Sequence, residues 1–126
     1  MKCNQLICAQ SVITDKTSNQ ISIINIYETA LVALFPTQIP VLTLYISFER
    51  EDGDELDVSV LLLITLNETE ILRQPMSITF IDGDPRNNTT VNMQGLIIGG
   101  PGELKFSILA NDNELETYSF AIKLRN

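Results

Sequence analysis

At 126 residues the chain has the length of one ordinary domain with a single core, and its wealth of Ile, Leu, Val and Thr suits pleated strands and argues against disorder. Sixteen acidic against eight basic residues give a formal net charge of −8, which repels nucleic acid and anionic lipid, so neither is expected as a partner. Histidine is absent, which removes the commonest general base and metal ligand and with it most hydrolase and transition-metal chemistry.

Residues 4–14 read as a first strand. An extended backbone would hold Cys3 and Cys8 roughly 16 Å apart on opposite faces, so they cannot bridge each other there. They also lack the spacing of a zinc knuckle or a redox pair, and read as small buried hydrophobes in a reducing compartment. The opening MKCNQLICA carries one positive charge and only a short apolar stretch before Gln10 and Ser11, unlike a secretion signal, and Ile7 is too bulky for a lipoprotein site at Cys8. No apolar run reaches the roughly 18 residues of a membrane helix, so no membrane is expected and the cytoplasm is the expected location.

The polar cluster at 15–19 reverses the chain into a second strand at 21–27. In ALVALFPTQIP, Pro36 and Pro40 exclude a central strand at their own positions and predict an irregular crossing between sheets. Residues 41–48 alternate, with Leu42, Leu44, Ile46 and Phe48 on a core face. Asp52-Gly53 is the strongest short hairpin signal, and it leads into a strand at 56–66 whose Val58, Val60, Leu62, Ile64 and Leu66 point inward. The outer face of that strand carries Ser59 and Thr65 but also Leu61 and Leu63. Their cover is the ALVALF segment, another subunit, or nothing but solvent.

Residues 67–74 form a polar connection with room for one helical turn, after which Pro75 opens a strand with Met76, Ile78 and Phe80 on one face. A strand at 90–98 ends in Gly99 to Gly102, which is turn punctuation, since no Lys followed by Ser or Thr and no helix come after it. Leu104, Phe106, Ile108 and Ala110, a turn at 111–114, and Tyr118, Phe120, Ile122 and Leu124 make the clearest hairpin. About eight strands without an intervening helix predict an all-β antiparallel sandwich, one domain over 1–126.

The layout LICAQSVITD…QISIINIYETALVALFPTQIPVLTLYISF and PGELKFSILANDNELETYSFAIKL resembles a bacterial family of small immunoglobulin-like β-sandwich domains of unknown function. The matching features are Cys8, the run Ile24, Asn25, Ile26, Tyr27, Phe35 with Pro36 ahead of an extended strand, and the Gly102, Glu103 hairpin; residues 68–92 match least. The resemblance implies an immunoglobulin-like fold and a prokaryotic, non-secreted origin, and brings no activity, cofactor or catalytic residue with it.

If every connection reverses the chain, the first, third, fifth and seventh loops share one pole, and they hold Asp15, Glu51, Asp52, Asp54, Glu55, Asp82, Asp84, Asp112 and Glu114. Carboxylates and carbonyls of such loops have the chemistry for Ca²⁺, with Asp52, Asp54, Asp82, Asp84 and Asp112 as ligands. The plainer alternative is that Asp, Asn and Gly serve turn geometry, and no loop has the ligand spacing of a helix-loop-helix calcium site. Matches to the glycosylation pattern at Asn67, Asn87 and Asn88 read as chance. Carboxylates occur only in solvated turns and no Ser or Cys adjoins a base, so no enzyme and no cofactor are expected.

The expectation is therefore a non-enzymatic interaction or assembly module. It self-associates or docks on a protein partner through an apolar face marked by Leu31, Leu34, Phe35, Leu61 and Leu63. A calcium-dependent binding domain is the alternative, and a structural piece of a larger, phage-derived particle is a third.

Overall fold

Alternating apolar residues set the long strands. In the computed structural model, which describes residues 1–125, there are nine strands and no helix among the described residues. They are β1 (Lys2–Thr14), β2 (Ile21–Ile26), β3 (Thr29–Val32), β4 (Thr37–Glu49), β5 (Asp57–Leu66), β6 (Thr69–Thr79), β7 (Arg86–Ile98), β8 (Gly102–Ala110) and β9 (Asn113–Leu124). One sheet has the order β2-β1-β4-β7 and the other β3-β9-β8-β5-β6. Neighbours are antiparallel except β3, which runs parallel to β9.

The core lies between the sheets. Leu42, Leu44, Ile46 and Phe48 of β4 are fully buried, as are Leu62 and Ile64 of β5 and Leu104, Phe106 and Ile108 of β8. Those positions follow the period of two read from the sequence. The two sheets meet with β1 against β9 and β7 against β6, and the chain changes sheet between most consecutive strands. This is the arrangement of an immunoglobulin-like sandwich.

The structure corrects the sequence reading at five places. First, the ALVALF stretch crosses between sheets as expected, but it also contains the ordered strand β3, which raises the count from about eight to nine. Second, Pro40 lies inside β4. It is tolerated because β1 pairs with β4 only as far as Thr43, so β4 has a single neighbour, β7, at Pro40.

Third, Asp52-Gly53 does not close a hairpin; it sits in the crossing from β4 to β5. Gly53 alone has a positive φ of 90°, and Asp54 N–H donates to Glu51 C=O, which fits a type II turn. A two-residue type I′ hairpin needs positive φ at both central residues. Asn67-Glu68 (49°, 70°) and Asn111-Asp112 (51°, 64°) meet that need and close β5-β6 and β8-β9.

Fourth, residues 67–74 contain that tight turn and the start of β6 rather than a helical turn, and Pro75 falls within β6 because β6 is an edge strand. Fifth, Cys3 and Cys8 both face the core. A bulge between Cys3 and Gln5 adds one residue to β1 and brings two positions of opposite parity to the same side.

Candidate functional site

The pole at the ends of β4, β6 and β8 gathers most of the acidic turns. β7 begins where β4 ends, with Arg86 opposite Glu49, and Arg50 N–H donates to Pro85 C=O at 2.7 Å, so the β4-β5 and β6-β7 loops lie side by side. The two loops repeat Asp-Gly-Asp with the same geometry, Gly83 having a φ of 88° and Asp84 N–H donating to Ile81 C=O. Asn111 of the β8-β9 turn lines a hollow with Gly53, Asp54 and Glu55. Asp15 is not there. Strand β3 shifts the count of reversals by one, and the β1-β2 turn lies at the opposite pole, where Asp15 accepts the Thr17 and Ser18 N–H groups.

The acidic pole contains its own cations. The amino group of Met1 lies 2.6 Å from Asp54 Oδ2 and 2.9 Å from Glu51 Oε1. The Arg50 guanidinium donates to Asp54 C=O, while its buried Nε has no partner. The hydrogen bond from the Met1 amino group, together with the Glu51 N–H, holds the Asp54 carboxyl below the usual carboxylate range. Burial pulls the Met1 amino group down, but the hydrogen bonds and charges of Asp54 and Glu51 outweigh it, and the net shift is upward.

A shallow cleft of about 220 Å³ lies between Arg50, Glu51, Asp52, Gly83, Asp84 and Pro85. Of the five residues read as calcium ligands, Asp54 is engaged by Met1, Asp84 accepts the Arg86 N–H, and Asp52, Asp82 and Asp112 are exposed on separate turns. Among the described residues no group of three or more Cys, Asp or Glu is placed to hold a metal ion. Neither Arg50 nor Met1 was legible as a counter-ion, because their partners depend on how two sheet crossings pack. Arg50 does at least stand next to the acidic run in sequence.

The second candidate is the outer face of the five-stranded sheet. Leu61 and Leu63 point outward as predicted and are half-buried. Their cover is not the ALVALF segment: β3 sits at the opposite edge of the sheet, with β9 and β8 in between. Instead the flanking strands shield them, Pro75 and Leu109 beside Leu61, Arg73 and Ser107 beside Leu63. Leu61, Pro75 and Leu109 floor a shallow hollow of about 240 Å³ that Asn111 and Asp112 border.

Leu109 was missed, although the inward alternation of Leu104, Phe106 and Ile108 already placed it on the outer face. Leu31, on β3, is exposed and pairs with Lys123 of β9, some six residues further along the strands from Leu63, or about 20 Å. Leu34 is exposed in the loop after β3, and Phe35 is half-buried against the core. The five leucine and phenylalanine positions thus divide into a central pair and a distant edge group.

Both cysteines are unpaired. Burial pushes the Cys8 thiol up to about 12, and burial with the Glu116 charge pushes Cys3 up to about 11, so neither is a nucleophile at neutral pH.

Fold and surfaces define an acidic immunoglobulin-like β-sandwich domain with polar turns at one end and an apolar strip on one sheet. The chain belongs to a family of unknown function, DUF6941, whose profile matches residues 5–123. Among solved structures it is similar to an immunoglobulin-like protein, PA1606, from Pseudomonas aeruginosa. Identity is 13%, the TM-score is 0.43, and the match covers 91% of this chain and 90% of that one. No curated protein matches the sequence.

Proposed function

We propose that the domain is a non-enzymatic interaction or assembly module of the bacterial cytoplasm that docks a protein partner on the outer face of its five-stranded sheet. The observation that carries this reading is the hollow formed by Leu61, Pro75 and Leu109 on the outer sheet face between the edge strand β6 and the β8-β9 turn, where a free-standing sandwich places polar side chains. The bordering Asp112 favours a partner with a basic rim around an apolar anchor. Two buried, unpaired thiols support a reducing location.

The test is a Leu61→Asp, Leu63→Asp double variant expressed in place of the native chain. Both side chains are half-buried on the outer face, so the fold survives by circular dichroism, and complexes containing the chain collapse to the free protein on native sizing. A folded double variant that stays in complexes of unchanged size overturns the reading.

A further inference from the structure

The two margins of the sandwich differ. Where β1 meets β9, the inward residues Leu6, Cys8, Phe120 and Ile122 are all buried. Where β6 meets β7, the inward residues are not. Thr89, Val91 and Met93 of β7 pair with Ile46, Leu44 and Leu42, which are fully buried, yet they are themselves only half-buried. On β6, Leu72 and Gln74 pair with the fully buried Ile64 and Leu62, yet Leu72 is half-buried and Gln74 is exposed. Inward positions as open as these lack the close packing of a finished interior.

At the acidic pole this margin is stitched by Asn87 Nδ2, which donates to Thr79 C=O at 2.9 Å. Toward the other pole the strands part around a groove of about 440 Å³, with Leu72 and Gln74 on one wall and Met93 and Leu96 on the other. Gly95, with a φ of 69°, kinks β7 so that Leu96 as well as Met93 turns inward, opposite Ile39 and Leu42. The polar groups along the groove are the amides of Gln74, Asn92 and Gln94. None of the described residues lining it is charged, on a chain whose net charge is −8. The two ionic side chains of β6, Glu70 and Arg73, are paired with each other at 2.9 Å.

We infer that this groove takes one extended, uncharged segment of a partner protein, which pairs its backbone with the edge of β7 and sets alternate apolar side chains between the two sheets. The edges decide the pairing strand. Strand β6 is blunted by Glu70, Arg73 and Pro75, whereas β7 has neither charge nor proline from Asn87 to Ile98 and has β4 as its single neighbour. Charge decides the occupant. An ionised side chain entering the groove would leave water without meeting a counter-charge, while a neutral strand meets amides that both donate and accept. The stretch 92–97 matches about six residues of extended chain, or roughly 20 Å. The groove opens between the sheets, away from the outer-face hollow, so the two readings are tested separately.

Panning a phage-displayed library of random nonapeptides on the full chain tests this. Enriched sequences are expected to run at least five residues without a charge and to be apolar at alternate positions. By calorimetry on the native chain, N-methylation of alternate residues along one edge of such a peptide weakens binding about tenfold, and along the other edge leaves it unchanged. Gln74→Glu, isosteric and at an exposed position, keeps the circular dichroism spectrum and weakens binding about tenfold, whereas the Leu61→Asp, Leu63→Asp variant binds as the native chain does. An unenriched library, charges within the enriched core, equal effects of methylation on both edges, or undiminished binding to folded Gln74→Glu overturns the inference. Loss of binding in the Leu61→Asp, Leu63→Asp variant moves the peptide to the outer face and overturns it too. A native chain that sediments at twice its 14.1 kDa mass, and returns to the chain mass as Gln74→Glu, overturns it in favour of a second copy in the groove.

Discussion

The carboxamide of Asn67 lies on the backbone of Gly102 and ties the β5-β6 turn to the start of β8. Its Oδ1 accepts the Glu103 N–H and its Nδ2 donates to Pro101 C=O, both at 3.0 Å, while Asn67 N–H donates to Glu103 C=O. Gly102 has a φ of 144°, and a Cβ there would overlap the Asn67 amide. Gly102→Ala therefore destabilises the domain by about 1–3 kcal/mol. Asn67→Gly, which keeps the left-handed turn and removes the amide, costs about 1 kcal/mol. Urea unfolding of both single variants and the double variant should show less than the sum of the two losses, since the overlap exists only while both side chains are present.

A second link joins the sheets through aromatic residues. Tyr118 on β9 donates its hydroxyl to Tyr27 C=O just beyond β2, and Tyr27 stacks on Phe120 with ring centroids 5.2 Å apart. Tyr118→Phe keeps the ring and removes the bond, and a loss of about 1 kcal/mol in thermal or urea unfolding is expected. A neutral result would show that water satisfies the Tyr27 carbonyl equally well.

Neighbouring leucines on β5 separate the two faces of the sheet. Leu62 is fully buried, so Leu62→Ala should cost about 2–5 kcal/mol, whereas Leu61→Ala, on the half-buried outer side, should cost less than about 1.5 kcal/mol. Denaturant unfolding of the two variants measures the difference. Equal losses would mean that the outer face is packed as tightly as the core.

These contrasts also mark what the chain reveals before it folds. The period of two placed Leu42 to Phe48, Val60 to Ile64 and Leu104 to Ile108 in the core correctly, because burial of one sheet face is written directly in alternating side chains. Features that depend on counting residues through irregular backbone were not legible. The bulge near Cys3 turned two cysteines to one side, and β3, hidden in a proline-bearing segment, moved Asp15 to the other pole. Turn chemistry was half legible: Asp-Gly and Asn-Glu both mark reversals, but only the φ values show which one closes a hairpin and which one crosses between sheets.

The buried thiols make a prediction about reactivity and alkaline stability. At pH 7 to 8 neither Cys3 nor Cys8 should react with a thiol reagent until the protein unfolds, when both should react. A thiol raised to about 12 in the folded state keeps its proton while the unfolded chain loses it from about pH 9, so folding is progressively disfavoured as pH rises through that interval. The slope per thiol is up to about 1.4 kcal/mol per pH unit. Cys8→Ala carries a cavity cost that does not depend on pH, and its stability should fall less steeply than the native protein's between pH 9 and 11.

The ion pair at the acidic pole acts on both sides of neutrality. Asp54 has its carboxyl lowered in the fold, so its contribution is present above the ordinary carboxylate value of 3.8 and disappears as pH falls through the lower, folded value. The Met1 amino group is raised, so its contribution is complete below the ordinary value of 8.0 and is lost as pH rises through the higher, folded value. Between those limits the contact of Met1 with Asp54 and Glu51 ties the start of β1 to the β4-β5 crossing. Asp54→Asn keeps an oxygen for the Glu51 N–H but abolishes the charge, and should lower the melting temperature most between pH 5 and 7. Curves for the native protein and Asp54→Asn that converge in acid, as the carboxyl takes up its proton, and again in alkali, as the Met1 amino group loses its own, would establish the pair as their common origin. A constant offset across the whole range would instead assign the loss to turn geometry.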